Sequence, residues 1–77
     1  MTNKDLLEKY IEKSGYKKSF LAKKIGVTAY GFLLKVNNKS EFKATEIETL
    51  CTLLNISVEE RMAIFFAKQV DSKSTDK

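Results

Sequence analysis

The sequence has no histidine and only one cysteine, Cys51, among its 77 residues. Without histidine and with a single thiol, tetrahedral zinc sites and histidine-based catalytic triads are unavailable. A lone cysteine cannot staple a fold, and nothing points to an oxidising compartment. Cys51 therefore reads as a small buried apolar residue. Glycine is scarce too: Gly15, Gly26 and Gly31 stand apart, so no glycine-rich phosphate loop is formed. No apolar run approaches the ~18 residues of a membrane span, because Lys or Glu recurs every few positions. The stretch Met1-Thr2-Asn3-Lys4-Asp5 lacks the apolar segment of a secretory signal. The adjacent carboxylates Glu59 and Glu60 diverge on a helix, and at its start they serve the dipole better than acid–base chemistry. The expectation is a cytoplasmic chain with no membrane contact, no cofactor, no metal and no enzymatic role.

What is present is 43% hydrophobic and 31% charged, the balance of a soluble globular chain long enough for one small domain. Charge is divided unevenly along it. Residues 1–43 carry ten lysines against four acids, whereas residues 44–77 carry four basic residues against six acids. A basic half beside an acidic half suggests a face for a polyanion, although lysines such as Lys23 and Lys24 also read as ordinary solvated charges.

Apolar spacing predicts five helices and no strands. Thr2 is placed to cap the first, with Asp5 three residues on, and Leu6, Leu7, Tyr10 and Ile11 supply its stripe. Gly15 ends it. A second helix over 18–25 points Phe20, Leu21 and Ile25 inward, Ala22 admits a close neighbour, and Gly26 stops the helix. Tyr16 reads with Phe20 as core. Thr28 is a good cap for a third helix over 29–36, giving two short helices joined by a turn containing glycine, a helix-turn-helix. Asn37-Asn38-Lys39-Ser40 is a loop by composition. A fourth helix over 44–54 buries Ile47, Leu50, Cys51 and Leu54 and ends at Asn55. Ser57 and Glu60 form a capping box opening a fifth over 58–69. The domain spans 1–69, and residues 70–77 read as a disordered tail.

Within helix three, Phe32 and Val36 are four apart and plug the core, leaving Ala29, Tyr30, Leu33, Leu34 and Lys35 outside. The segment Leu21-Ala22-Lys23-Lys24-Ile25-Gly26-Val27-Thr28, followed by Phe32, Val36 and Asn37, resembles the lambda-repressor-like (Cro/CI-type, or XRE) helix-turn-helix family. Leu53-Leu54-Asn55-Ile56-Ser57-Val58-Glu59-Glu60 is similar to the family's junction of helices four and five, so the resemblance covers roughly residues 3–68. It implies a compact five-helix lambda-repressor-like fold and a sequence-specific, double-stranded-DNA-binding transcription regulator of the small Cro or repressor type of prophages.

By the same resemblance, Lys18, Ala29, Tyr30, Leu33, Leu34, Asn37 and Lys39 occupy DNA-contacting positions. Lys35 joins Lys18 and Lys39 as an expected phosphate partner. Where the family usually offers Gln or Arg, this chain has Lys18, Ala29, Leu33 and Leu34. Bidentate base readout is therefore scarce, and affinity is expected to lean on lysine–phosphate contacts. Lys17 stands where a capping residue usually opens helix two and is a poor cap. Two other readings attach to Leu33 and Leu34: a register shifted by one residue that turns one of them inward, or a protein-binding patch, as in an antirepressor or antitoxin-type partner-binding protein.

Met62-Ala63-Ile64-Phe65-Phe66-Ala67 is apolar almost all round, with Val58, Met62 and Phe65 on one row. The surplus face, at Ile64, Phe65 and Phe66, is expected to seat a homodimer on a near-palindromic operator, the other reading being a wholly intramolecular core.

Overall fold

The computed structural model describes residues 1–67. The expected tail, 70–77, and residues 68–69 of the expected fifth helix lie outside the described residues. The described chain is all-helical: α1 (Lys4–Ser14), α2 (Lys18–Ile25), α3 (Ala29–Val36), α4 (Ala44–Leu54) and α5 (Val58–Phe65). None of these helices is long and apolar enough to cross a membrane.

Three of the helices end in the same way. Gly26, Asn38 and Asn55 take positive φ (81°, 63° and 58°), and the next residue's N–H reaches the carbonyl five residues back. Val27 reaches Ala22 at 2.9 Å, Lys39 reaches Leu34 at 2.8 Å and Ile56 reaches Cys51 at 2.8 Å. This satisfies carbonyls that a helix terminus otherwise leaves without a partner and turns the chain sharply toward the next helix.

Helix starts are more varied. Thr28 and Ser57 cap α3 and α5 with their hydroxyls, and the Glu60 carboxylate returns to the Ser57 N–H. Lys17 gives α2 no side-chain cap, as its chemistry dictates. At α1 the structure corrects the sequence expectation: Asn3, not Thr2, is the cap, its Oδ1 accepting the Leu6 N–H at 3.1 Å. Thr2 is buried, held outside the helix by two hydrogen bonds to the Asn38 side chain. Tertiary contacts thus hold Thr2 outside the helix, the extended cap falls at Asn3, and the helix begins one position later.

α5 also differs, stopping at Phe65 where the apolar pattern had extended it to 69. The Ile64 carbonyl, which a continuing helix would offer to the residue four further on, instead accepts the Asn3 N–H at 2.6 Å. Phe66 then leaves helical geometry, with φ −123° and ψ 32°.

The core runs through all five helices. Leu7, Leu21, Phe32, Val36, Leu50 and Ile64 are sealed from solvent, each contributing roughly 1.5–3 kcal/mol of burial. α2 packs on α3 and α4, and α1 on α4 and α5. Phe42 and Ile56, both in connections, join the core without belonging to any periodic stripe. Phe42 stands edge-on to Phe32 at 6.0 Å and to Phe65 at 5.4 Å, linking α3 to α5. At the α1–α5 seam, the neighbouring Tyr10 hydroxyl and hydrogen bonding from Ser57 hold the Glu60 carboxyl below its usual range. The same contact with Glu60 raises Tyr10. Burial pushes the Cys51 thiol up, in keeping with its place in the core.

Candidate nucleic-acid interface

α2 and α3 are joined by Gly26-Val27-Thr28, and the left-handed Gly26 supplies the bend. The Thr28 hydroxyl accepts the Gly31 N–H at 2.9 Å, fixing where α3 begins. Phe32 and Val36 lock one side of α3 into the core, at 1% and 0% exposure. With that side fixed, the 3.6-residue period decides what faces outward.

Ala29, Tyr30 and Leu33 emerge on the open side, with Tyr30 69% and Leu33 44% exposed. Leu34 and Asn37 are half-buried at the edge of that face. Phe32 and Val36 anchor the helix as expected, while Leu34, expected outside, is turned partly toward the protein. Lys39, past the end of α3, is exposed. Lys18 is exposed at the first turn of α2 and pairs with Glu8 of α1 at 2.9 Å, a surface contact that a phosphate can displace.

Lys35 is not on this face, which corrects the sequence expectation. Its Nζ donates to the Glu41 carbonyl at 2.8 Å and lies 3.2 Å from the Glu46 carboxylate. The side chain is buried and passes the Phe42 ring, 6.0 Å from the centroid. Position 35 falls three residues beyond Phe32 on the helix, close enough to the buried stripe for a long side chain to be drawn inward by an acidic partner. Glu46 is that partner, and no local pattern around Lys35 announces it.

Tyr16 and Phe20 are corrected in the opposite sense. They stand 40% and 37% exposed rather than in the core, stacked on each other with ring centroids 4.9 Å apart. Tyr16 precedes the α2 cap and Phe20 lies one turn in, so the pair staples the entry of the chain into the helix from outside. The Lys24 ammonium sits 5.4 Å from the Phe20 ring centroid. Leu21 and Ala22 take the buried positions of α2.

The expected dimer residues divide. Ile64 and Phe65 are 0% and 4% exposed within the chain's own core, so two of the three are unavailable to a partner. Phe66 is 51% exposed, and Val58 and Met62, expected to lie on the same row as Phe65, also face solvent. They diverge from Phe65 because the helix is anchored by Ile64 and Phe65 together, which turns the 58–62 row outward. In the sequence Asn38 reads only as part of a loop; its positive φ and its pairing with Thr2, 36 residues away, depend on the folded arrangement.

Comparison with characterised proteins and with solved structures gives no match for this chain. The model of the Cro/C1-type helix-turn-helix DNA-binding domain family matches residues 6–64, from the first turn of α1 to the last of α5. Two short helices joined at a left-handed glycine, with the second locked by Phe32 and Val36, are what such a domain requires, and the chain belongs to that family of DNA-binding domains.

Proposed function

We propose that this domain is a sequence-specific, double-stranded-DNA-binding transcriptional repressor of the phage or prophage type. It works in the cytoplasm as a homodimer on a near-palindromic operator. The observation that carries the reading is the outward face of α3, where Ala29, Tyr30 and Leu33 are open to solvent while the opposite side is immobilised. α3 enters the major groove, Tyr30 and Asn37 supply hydrogen bonds, and Ala29, Leu33 and Leu34 meet thymine methyls. Lys18 and Lys39 contact the backbone. Val58, Met62 and Phe66, successive fours on or just past α5, give the dimer a row of exposed apolar side chains. A two-fold pair then sets its α3 helices about one DNA turn apart, ~34 Å.

Titration of a randomised duplex pool at increasing salt tests this. If Lys18 and Lys39 of the two subunits neutralise about four phosphates per dimer, log K falls with log salt at a slope of about −3.6. Lys39→Ala makes that slope shallower by about two per dimer. A slope near zero for the unaltered chain refutes the reading.

A second reading, a protein-interaction module on the same fold, draws on the large exposure of Tyr30 and Leu33 on a face with few hydrogen-bonding groups. Under that reading Leu33→Ala with Leu34→Ala abolishes capture of a protein partner, and lysine substitution has no effect on it.

A further inference from the structure

We propose that Asn38 and the Lys35–Glu46 pair are positioning elements. They make the turn after α3 a rigid mount for Lys39 and so raise DNA sequence selectivity without touching DNA. The inference rests on the DNA-binding reading above and deepens it.

α3 has eight residues, about two turns, too few to hold its own end in place by helix propensity. Its termination therefore needs outside support, and two separate ties supply it. In the first, Asn38 adopts φ 63°, its N–H donates to the Lys35 carbonyl at 3.2 Å, and the Lys39 N–H donates to Leu34 at 2.8 Å. Glycine would serve that backbone as well. Asparagine adds an amide that accepts the Thr2 N–H at 2.8 Å and donates to the Thr2 carbonyl at 2.9 Å. Both faces of the amide are thereby used against the segment preceding α1.

In the second tie, the Lys35 ammonium donates to the Glu41 carbonyl, in the middle of the connection, and pairs with Glu46 in the first turn of α4. The same Glu46 oxygen accepts the Lys43 N–H at 2.8 Å. Residues 38 and 41–43 are consequently tied to two different parts of the molecule, with Lys39 between them. A methionine would fill the Lys35 site without burying charge, so stability alone does not call for the ion pair; fixing one arrangement of the turn does.

Geometry gives this rigidity a consequence. A phosphate-seeking lysine on a loose turn strengthens binding to any duplex. Held fixed relative to α3, Lys39 finds its phosphate only when the bases meet Tyr30 and its neighbours in one register, and contributes mainly to the preferred site.

The test compares duplexes selected from a randomised library by the unaltered chain with duplexes from the unselected pool. Asn38→Gly keeps the backbone conformation and removes the Thr2 tie. The double variant Lys35→Met with Glu46→Gln removes both buried charges together while a glutamine oxygen still meets the Lys43 N–H. Each is expected to lower the selected-to-unselected affinity ratio about tenfold, the scale of one lost base-pair preference. Binding to the unselected pool and its salt slope stay unchanged. Asn38→Asp, which retains the acceptor for Thr2, recovers part of the ratio. An unchanged ratio in folded variants overturns the proposal. So does a salt slope that becomes shallower on loss of the Lys35 charge, because Lys35 would then be a phosphate contact. If the unaltered chain binds neither pool in a salt-dependent way, the DNA-binding reading falls and takes this inference with it.

Discussion

Removing the Lys35 charge alone is expected to destabilise the domain far more than removing it together with its partner. The two side chains are 10% and 8% exposed and approach to 3.2 Å. At an effective dielectric constant of about 20, the attraction at that distance is roughly 5 kcal/mol, opposed by several kcal/mol of desolvation for each ion. The intact pair is thus close to neutral, whereas Lys35→Met leaves a buried carboxylate held only by the Lys43 N–H. That single change should cost about 3 kcal/mol, a large share of the ~4–11 kcal/mol expected for a domain of this length. Glu46→Gln should cost about 1–3 kcal/mol, because the ammonium keeps the Glu41 carbonyl. Lys35→Met with Glu46→Gln should lie within about 1 kcal/mol of the unaltered chain, a coupling of 2 kcal/mol or more. Thermal unfolding followed by circular dichroism reads this directly, since each kcal/mol moves the midpoint by about 4–8 °C in a small domain. If the single variants lose less than ~1 kcal/mol, or the double variant equals their sum, the pair behaves as a surface contact and the reasoning fails.

Phe66→Glu should convert a dimer to a monomer in sedimentation equilibrium with helicity retained; an unchanged mass removes the dimer seat. Gly26→Ala meets no atom within 4 Å but must hold φ 81°, so it should cost about 1 kcal/mol in urea unfolding, and a neutral result would mean the turn relaxes freely. Because the Glu60 carboxyl lies below its usual range when folded, its contribution is present above the ordinary carboxylate pKa and is lost as pH falls through the lowered value. Tyr10 is raised, so its contribution holds below the ordinary phenol pKa and is lost as pH climbs through the raised one. Melting curves across pH should show a shallower acid limb for Glu60→Gln and a shallower alkaline limb for Tyr10→Phe; limbs parallel to the unaltered chain's would contradict the Tyr10–Glu60 contact.

Most of the fold was legible in local pattern. The ranges of α2, α3 and α4 follow from the Gly26 and Asn55 terminators, the Thr28 cap and the repeat of Ile47, Leu50, Cys51 and Leu54. The outward placement of Ala29, Tyr30 and Leu33 was equally readable, because two core residues four apart leave one side over, but Leu34 and Lys35, expected beside them, turn inward. Tyr16 and Phe20 pair locally outside the core, whereas the other misplacements share a cause. Thr2, Lys35, Ile64 and Phe65 each have a near-neighbour pattern pointing one way and a distant partner pulling the other. Phe42 and Asn38 had no periodic pattern to reveal them.

The sequence by itself determined the bounds of α2, α3 and α4 and the burial of the Phe32–Val36 side of α3, since caps, left-handed terminators and helical period act over five residues or fewer; the start of α1 and the end of α5 waited on contacts from distant residues. Only the tertiary structure decided which lysines reach outward and which apolar residues of α5 are spent on the core. Those choices depend on Glu46 standing beside Lys35, on Asn38 meeting Thr2 and on Asn3 claiming the Ile64 carbonyl. Charge satisfaction and burial are set by whatever the fold brings close, and no short-range rule in the chain encodes that proximity.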